Sequence, residues 1–478
     1  MSSVHDPDPV AALRVLGRFR QEFYRALRAR ADALFELCDA VVCTDGPVSS
    51  LVGLSLAAEH RRGHGALYDG VNHGRMQFDR LRRTLAGLPL PRDTHGRIML
   101  AVDVSNYPRP EAVTSPDRLF CHMRGRGRNA QVVPGWPYSF IAALEPGRSS
   151  WTAMLDAVRL GPTDDLTDVT AAQVRGLVTR LIEAGQYTDG DPTIVVVFDA
   201  GYELTRLAWL LADLPVQVIG RVRSVQVFHL PPLPRPPGKG GRTPRHGPAI
   251  DLDQPEQHPP AALTTVTDTS RYGTATATAW NRTHQRLHGR DAWADHHGEL
   301  PIVEGTLIRL TVQHLPGNRH PDPVWLWAHT TNLEASDVDR LWQTYLRRFD
   351  LEHTFRLFKQ TLGWTKPRLR DPAAADRWTW LILIAHTQLR LARDCTTDLR
   401  RPWERPHTTP GRLTPTRVRR GFRNLHPKLP NPAGAPKPTR PGPGRPPGTP
   451  NKQPAPRPPV GKPRRKRQTP DAKPSTKG

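Results

Sequence analysis

Residues 345–359 read YLRRFDLEHTFRLFK. On a helix turning about 100° per residue, Tyr345, Arg348, Glu352 and Lys359 fall within an arc of roughly 60°. Leu351, Phe355, Phe358 and Leu362 form an apolar stripe beside them. The polar stripe therefore borders the buried face instead of opposing it. At the least, Arg348 and Glu352 form an i,i+4 ion pair worth a few tenths of a kcal/mol, roughly 0.2–0.5. The stripe becomes a site for chemistry if other segments bring more carboxylates to Glu352.

Two segments qualify. RIMLAVDVSN (97–106) and TIVVVFDAGYE (193–203) are short apolar runs, each ending on an aspartate, Asp103 and Asp199. Such runs read as buried strands. In an open α/β sheet, sites collect at the carboxyl ends of strands. Each Asp taken alone also suits a turn residue closing a strand. Together with Glu352 they supply three hard oxygen donors, the set that Mg²⁺ or Mn²⁺ prefers. Two such ions about 3.5–4 Å apart clamp the attacking and leaving oxygens of an in-line phosphoryl displacement.

The elements that must position these residues follow from the pattern. PYSFIAALE (137–145) and SSWTAMLDAVRL (149–160) read as strands, and TDVTAAQVRGLVTRLIEAGQ (167–186) as a capped helix. A helix over 203–213 and a strand over 216–222 complete the order β-β-β-α-β-α-β, which predicts an α/β sheet with helices on its faces. Residues 1–95 read as a basic helical module, a candidate for DNA contact, and 96–222 as the first part of the catalytic domain. Residues 223–335 read as a β-rich insertion holding GTATATAWNRT, TLIRLTVQHL and PVWLWAHTT. Residues 336–400 carry the helix with Glu352 and a closing helix. The GKGG of the insertion lacks phosphate-loop spacing. ADHHGEL (294–300) lacks metal-site spacing and reads as a solvated loop.

The 478 residues carry a formal net charge of +23. Residues 401–478 hold 20 Lys and Arg against Glu404 and Asp471, so most of the charge lies there. Apolar residues thin out over this Pro-rich stretch, which predicts a disordered tail that binds phosphates non-specifically. Within it, GPGRPPGTPNK (442–452) is an incomplete minor-groove hook and PRRKRQ (463–468) a basic cluster. A polyanionic partner, nucleic acid above all, matches the charge. Cys38, Cys43, Cys121 and Cys395 form no CxxC pair and read as reduced thiols. The first residues lack a signal-peptide pattern, and the most apolar run, WTWLILIA (378–385), is too short to span a bilayer. The expectation is a cytoplasmic protein without membrane contact.

From about residue 97 to 395 the chain resembles a DDE transposase of bacterial insertion sequences. It is most similar to the subclass with a Y-x2-R-x3-E-x6-K helix, which Tyr345, Arg348, Glu352 and Lys359 meet at every position. DAGY (199–202) matches the D-x-G-Y/F pattern at the second aspartate, and MLAVDVSN the first. The resemblance implies an RNase H-like mixed sheet flanked by helices, interrupted by a β-rich insertion before the catalytic helix. It implies that Asp103, Asp199 and Glu352 hold two Mg²⁺ or Mn²⁺ ions. Endonucleolytic cleavage at the transposon ends and transfer of the 3′-OH to target DNA would follow, a DNA recombination. Tyr345, Arg348 and Lys359 would contact phosphates or an extruded base. Trp325 would stack on a flipped base, or else pack with Trp327 in the core of the insertion. The partners implied are double-stranded DNA, both ends and target, and a second copy of the chain, as a homodimer or higher assembly. The location implied is bacterial cytoplasm, at the nucleoid through DNA. Two alternatives stay open: an RNase H-like nuclease that cuts without joining, and a domesticated copy that binds DNA without catalysis.

Overall fold

A computed structural model describes residues 8–124, 130–147, 149–234, 244–289, 291–315, 321–404, 413–437, 448 and 453–462. The chain starts with helices. Asp8 caps α1 (Pro9–Ala26), its carboxylate accepting from the Val10 N–H at 2.9 Å, with Pro9 in the first turn. Residues 10–42 and 65–88 of the helical module each carry apolar residues near a 3.6-residue period, and the first of these stretches is broken by β1 (Leu27–Ala29) and by Arg30 at φ 57° before α2 (Ala31–Cys43). After α3 (Leu51–Leu54), the second stretch breaks too, into α4 (His64–His73), β2 (Arg75–Met76) and α5 (Phe78–Ala86). β1 pairs with β2, so the two breaks meet as one feature. Gly74 permits it, since a Cβ there would lie 2.3 Å from the Gly70 carbonyl oxygen.

The next elements are β3 (Met99–Pro108), β4 (Leu119–Arg124), β5 (Ala130–Leu144), β6 (Thr152–Arg159), α6 (Leu166–Glu183), β7 (Ile194–Phe198), α7 (Leu204–Leu210) and β8 (Val216–Arg221). β3 and β8 flank β7 in parallel, while β5 runs antiparallel to β3 and β6. The order β8-β7-β3-β5-β6 is the mixed sheet of an RNase H-like fold, as the resemblance implies. β4 is one strand more than the sequence pattern predicts. β4 itself alternates around buried Cys121 with Phe120 and His122 exposed, and it pairs with the first half of β5, where Gln131 and Val132 are exposed and Pro134 interrupts the run, so the apolar signal is weak. Side chains alternate across the sheet. Ser139 of β5 bonds Gln173 of α6 at 2.7 Å, and the adjacent Phe140 packs on Phe355, so α6 and the segment holding Glu352 cover opposite faces.

The insertion comprises β9 (Val227–His229), β10 (Ala249–Asp251), β11 (Leu263–Thr269), β12 (Gly273–Gln285), β13 (Gly305–Val312) and β14 (Val324–Ala328). β-rich structure is as expected, and it continues the catalytic sheet: β14 pairs with β8, giving twelve strands among the described residues. The GKGG segment lies outside the described residues. α8 (Ala335–Arg347) lies on this extension, where Asp339 accepts from the Thr265 and Thr267 hydroxyls at 2.6 and 2.8 Å. α9 (Phe349–Gln360) follows after a break at Arg348, then α10 (Pro372–Ala392) and α11 (Pro415–Leu425).

α11 corrects the expectation of a disordered tail from residue 401. Val418, Phe422 and Leu425 are buried against α2 and α10, and one apolar core runs from Leu16 to Ala433. Arg419 donates to the carbonyls of Val41 and Gly46, and Arg20 to that of Pro430. Pro and Arg dominate the composition of this segment, yet its apolar residues fall on one helical face, and that face is what folds it. The N-terminal helices share this core, so residues 8–95 do not form a body of their own. PRRKRQ lies outside the described residues, and of 442–452 only Gly448 is described.

Candidate active site

Register places the two aspartates. β3 pairs with β7 through Ala101 and Val197, and both chains run on to an aspartate two residues later. β3 does not end at Asp103, as the apolar run predicts, but continues to Pro108 against β5. The pairing with β7 ends at Ala101, two residues before Asp103. Gly220 of β8 pairs with Phe198 beside Asp199, and a Cβ there would lie 2.6 Å from Leu204 Cδ2.

The third carboxylate arrives from α9. The helix expected to carry Tyr345 to Lys359 without a break is interrupted at Arg348, where Arg348 N–H bonds the Tyr345 carbonyl and Leu351 N–H bonds that of Arg348, each at 3.0 Å. These i→i+3 bonds tighten the turn. Arg348 at this turn is buried, while Glu352 one turn on is partly exposed. The Arg348 guanidinium then meets all three acids: Asp103 Oδ2 at 3.1 Å, Asp199 Oδ2 at 3.4 Å and Glu352 Oε1 at 3.2 Å. The Arg348 side chain is 4% exposed, against 20%, 32% and 42% for the three carboxylates. The acids thus form an open rim above a buried cation.

Electrostatics follow from this arrangement. Burial lifts the Asp103 carboxyl to about 6; Arg348 and the Val104 N–H oppose the shift, while Asp199 and Glu352 add to it. Burial works against the charge of Arg348, but Asp199 and Asp103 hold its pKa above the ordinary value. Lys359 lies 5.7 Å over the Trp364 ring, and burial lowers its pKa against the pull of Asp103. Tyr345 is buried, with Arg348 Cζ 5.9 Å from its ring, and burial raises its pKa, as does Asp199. The structure therefore brings together Asp103, Asp199, Glu352, Arg348, Tyr345 and Lys359.

Trp325 stands apart. It lies at the same end of the sheet, where its carbonyl accepts from the Val222 N–H at 2.9 Å. Its ring, however, is 5% exposed and packs on Trp280 and His258 at 5.7 and 5.4 Å. Of the two expectations for Trp325, this arrangement matches packing with Trp327: both lie on one face of β14, and Leu326 and Ala328 on the other face are buried too. Phe349 is the aromatic ring that sequence reasoning missed. It is 42% exposed, with Arg348 Cζ 5.3 Å from its ring. An aromatic residue opposite the apolar stripe of α9 was the signal that could have found it.

As donors, three carboxylates fit a hard divalent cation, and Asp199 Oδ1 is buried without a partner, free to bind one. Among the described residues, no three His, Cys, Asp or Glu side chains are arranged to hold a metal ion, and Arg348 stands among these acids. No helix among the described residues is long and apolar enough to cross a membrane.

An RNase H-like sheet with acids on its two central strands and a third on a following helix defines a class of phosphoryl-transfer protein. A family model described as DDE superfamily endonuclease matches residues 22–286, more than half of the chain, and the protein belongs to that family. The match contains Asp103 and Asp199 and stops before the helix of Glu352. Enzymes of this family act on DNA and generally use divalent metal ions. No curated protein matches the chain.

Proposed function

We propose that this protein is a DNA transposase that cleaves the ends of its element and joins the 3′-OH to target DNA. The observation that supports the reading is the convergence of Asp103, Asp199 and Glu352 on one guanidinium, from three elements of the chain. Two Mg²⁺ or Mn²⁺ ions held by these acids would supply Lewis-acid stabilisation of charge at the phosphate. Lys359 and Arg348 neutralise phosphate oxygens beside them, and the Tyr345 hydroxyl donates to one. Water opens the phosphodiester, and the freed 3′-OH then attacks target DNA, without a covalent enzyme intermediate. Two ends must be held together, which calls for at least a homodimer on double-stranded DNA, at the nucleoid of a bacterial cytoplasm.

The test supplies a pre-cut element end with a free 3′-OH, a target plasmid and Mg²⁺. Joined product is expected from the wild type. Cutting of intact ends without joining of the pre-cut end would make the protein an RNase H-like nuclease instead.

A further inference from the structure

Arg348 is held differently from Arg20 and Arg419, two other deeply buried arginines. Arg20 is tied by Asp39, by Gln388 and by the Pro430 carbonyl. Arg419 is tied by two carbonyls. Arg348 bonds no backbone carbonyl among the described residues, and its Nε is buried without a partner. Its ion pairs all go to Asp103, Asp199 and Glu352. Beyond these, among the described residues, it meets Tyr345, through the ring and the hydroxyl, and the Phe349 ring. Three carboxylates around one cation leave the cluster anionic, so a divalent ion is attracted to the same oxygens. It cannot approach all three while the guanidinium lies between them. A cation that displaces Arg348 removes every charge that holds it. The half-exposed Phe349 ring, already 5.3 Å from Arg348 Cζ, stays within reach of the guanidinium on the solvent side.

We propose that Arg348 is the resident counter-cation of the acid triad, and that a divalent metal ion binds by expelling its guanidinium. The inference rests on the metal-binding reading of the triad given above. It makes Arg348 a positioning residue, one that keeps the acids apart until the metal arrives and is then released toward phosphate.

The test uses the full chain without DNA and Mn²⁺ as the probe. In the wild type, phenylglyoxal modification of Arg348, followed by peptide mass spectrometry, is expected to be slow without Mn²⁺ and several-fold faster with it. By calorimetry, Arg348→Gln is expected to bind Mn²⁺ about tenfold or more tighter than wild type, because a competing unit charge at contact distance is gone. Arg348→Lys should fall nearer to Gln than to wild type, since a compact ammonium cannot span three carboxylates. Mn²⁺ binding that leaves Arg348 equally protected would overturn the proposal. So would equal affinity in wild type and Arg348→Gln. In either case, loss of binding in Asp199→Asn would leave the metal reading standing. Absence of Mn²⁺ binding in every protein would overturn both.

Discussion

Asp103 combines two properties that rarely coexist on a surface carboxylate: it faces a guanidinium, and its pKa still lies at about 6. Burial on the central strand outweighs the ion pair. The sign of the consequence is fixed by linkage. The folded-state value lies above the ordinary one near 3.9, so the contribution to stability is full below that value and is lost as pH rises through about 6. Replacing Asp103 by Asn removes the titration. The melting temperature of the metal-free variant, relative to wild type, should therefore increase between pH 4.5 and 7.5. A constant difference would show that Asp103 titrates normally. Activity is a separate matter. Asp103→Asn, Asp199→Asn and Glu352→Gln each remove an oxygen ligand worth several kcal/mol of transition-state charge stabilisation, about a thousand-fold in rate. Cleavage in Mg²⁺ should fall by that order, while a gel shift shows DNA binding retained. A mutant that cuts at the wild-type rate would remove its residue from the site.

At the scale of elements, the helices and the added strands stabilise what the triad needs. His386 of α10 lies between Trp151 and Phe358, and among the described residues neither of its ring nitrogens has a hydrogen-bond partner. Burial holds it neutral, with its pKa lowered to about 3. A depressed imidazole pKa means that stability is complete above the ordinary value near 6.5 and is lost as pH falls toward 3. His386→Leu should shrink the drop in urea midpoint between pH 7 and pH 4; an unchanged drop would place the acid sensitivity elsewhere. Trp325 belongs to this scale as well. Packed on Trp280 and His258, it holds β14 to β12 through their side chains. Trp325→Ala should destabilise the fold by about 3–5 kcal/mol, as truncation of buried aromatics does. An unchanged urea midpoint together with slowed excision would return Trp325 to the DNA.

At the scale of the molecule, the two ends of the chain close one core. Removing residues 413–437 strips Val418, Phe422, Leu425 and Leu429 from it and leaves the Val41 and Gly46 carbonyls without Arg419. At about 1.5–3 kcal/mol per buried apolar side chain, the loss is comparable to the whole net stability of a typical domain. A chain ending at residue 412 should thus fail to fold or melt far below wild type. A chain ending at 437 should melt like wild type, yet it lacks 11 of the Lys and Arg residues. Each phosphate that the protein no longer neutralises reduces the slope of log K against log salt by about 0.9. Affinities for a random duplex between 50 and 300 mM salt should show a flatter slope if these residues lie on DNA, and the same slope if they do not.

Periodicity carried the acids into view. Alternation and apolar runs placed Asp103 and Asp199 at one level of a sheet, and the 3.6-residue repeat put Arg348 beside Glu352, because both patterns are set by local backbone geometry. Composition misread the segment around α11, where a single helical face outweighs a Pro- and Arg-rich average. Interactions between distant parts of the chain were not legible in this way. Arg348 and Asp103 are 245 residues apart, and which partner a guanidinium selects depends on where two strands stop pairing and where a helix breaks. The same holds for Trp325, whose ring could as well have faced DNA. The residue types and their order are properties of the sequence. Whether a side chain meets water, an aromatic cluster or three carboxylates was decided by packing, since burial and charge act through space and not along the chain.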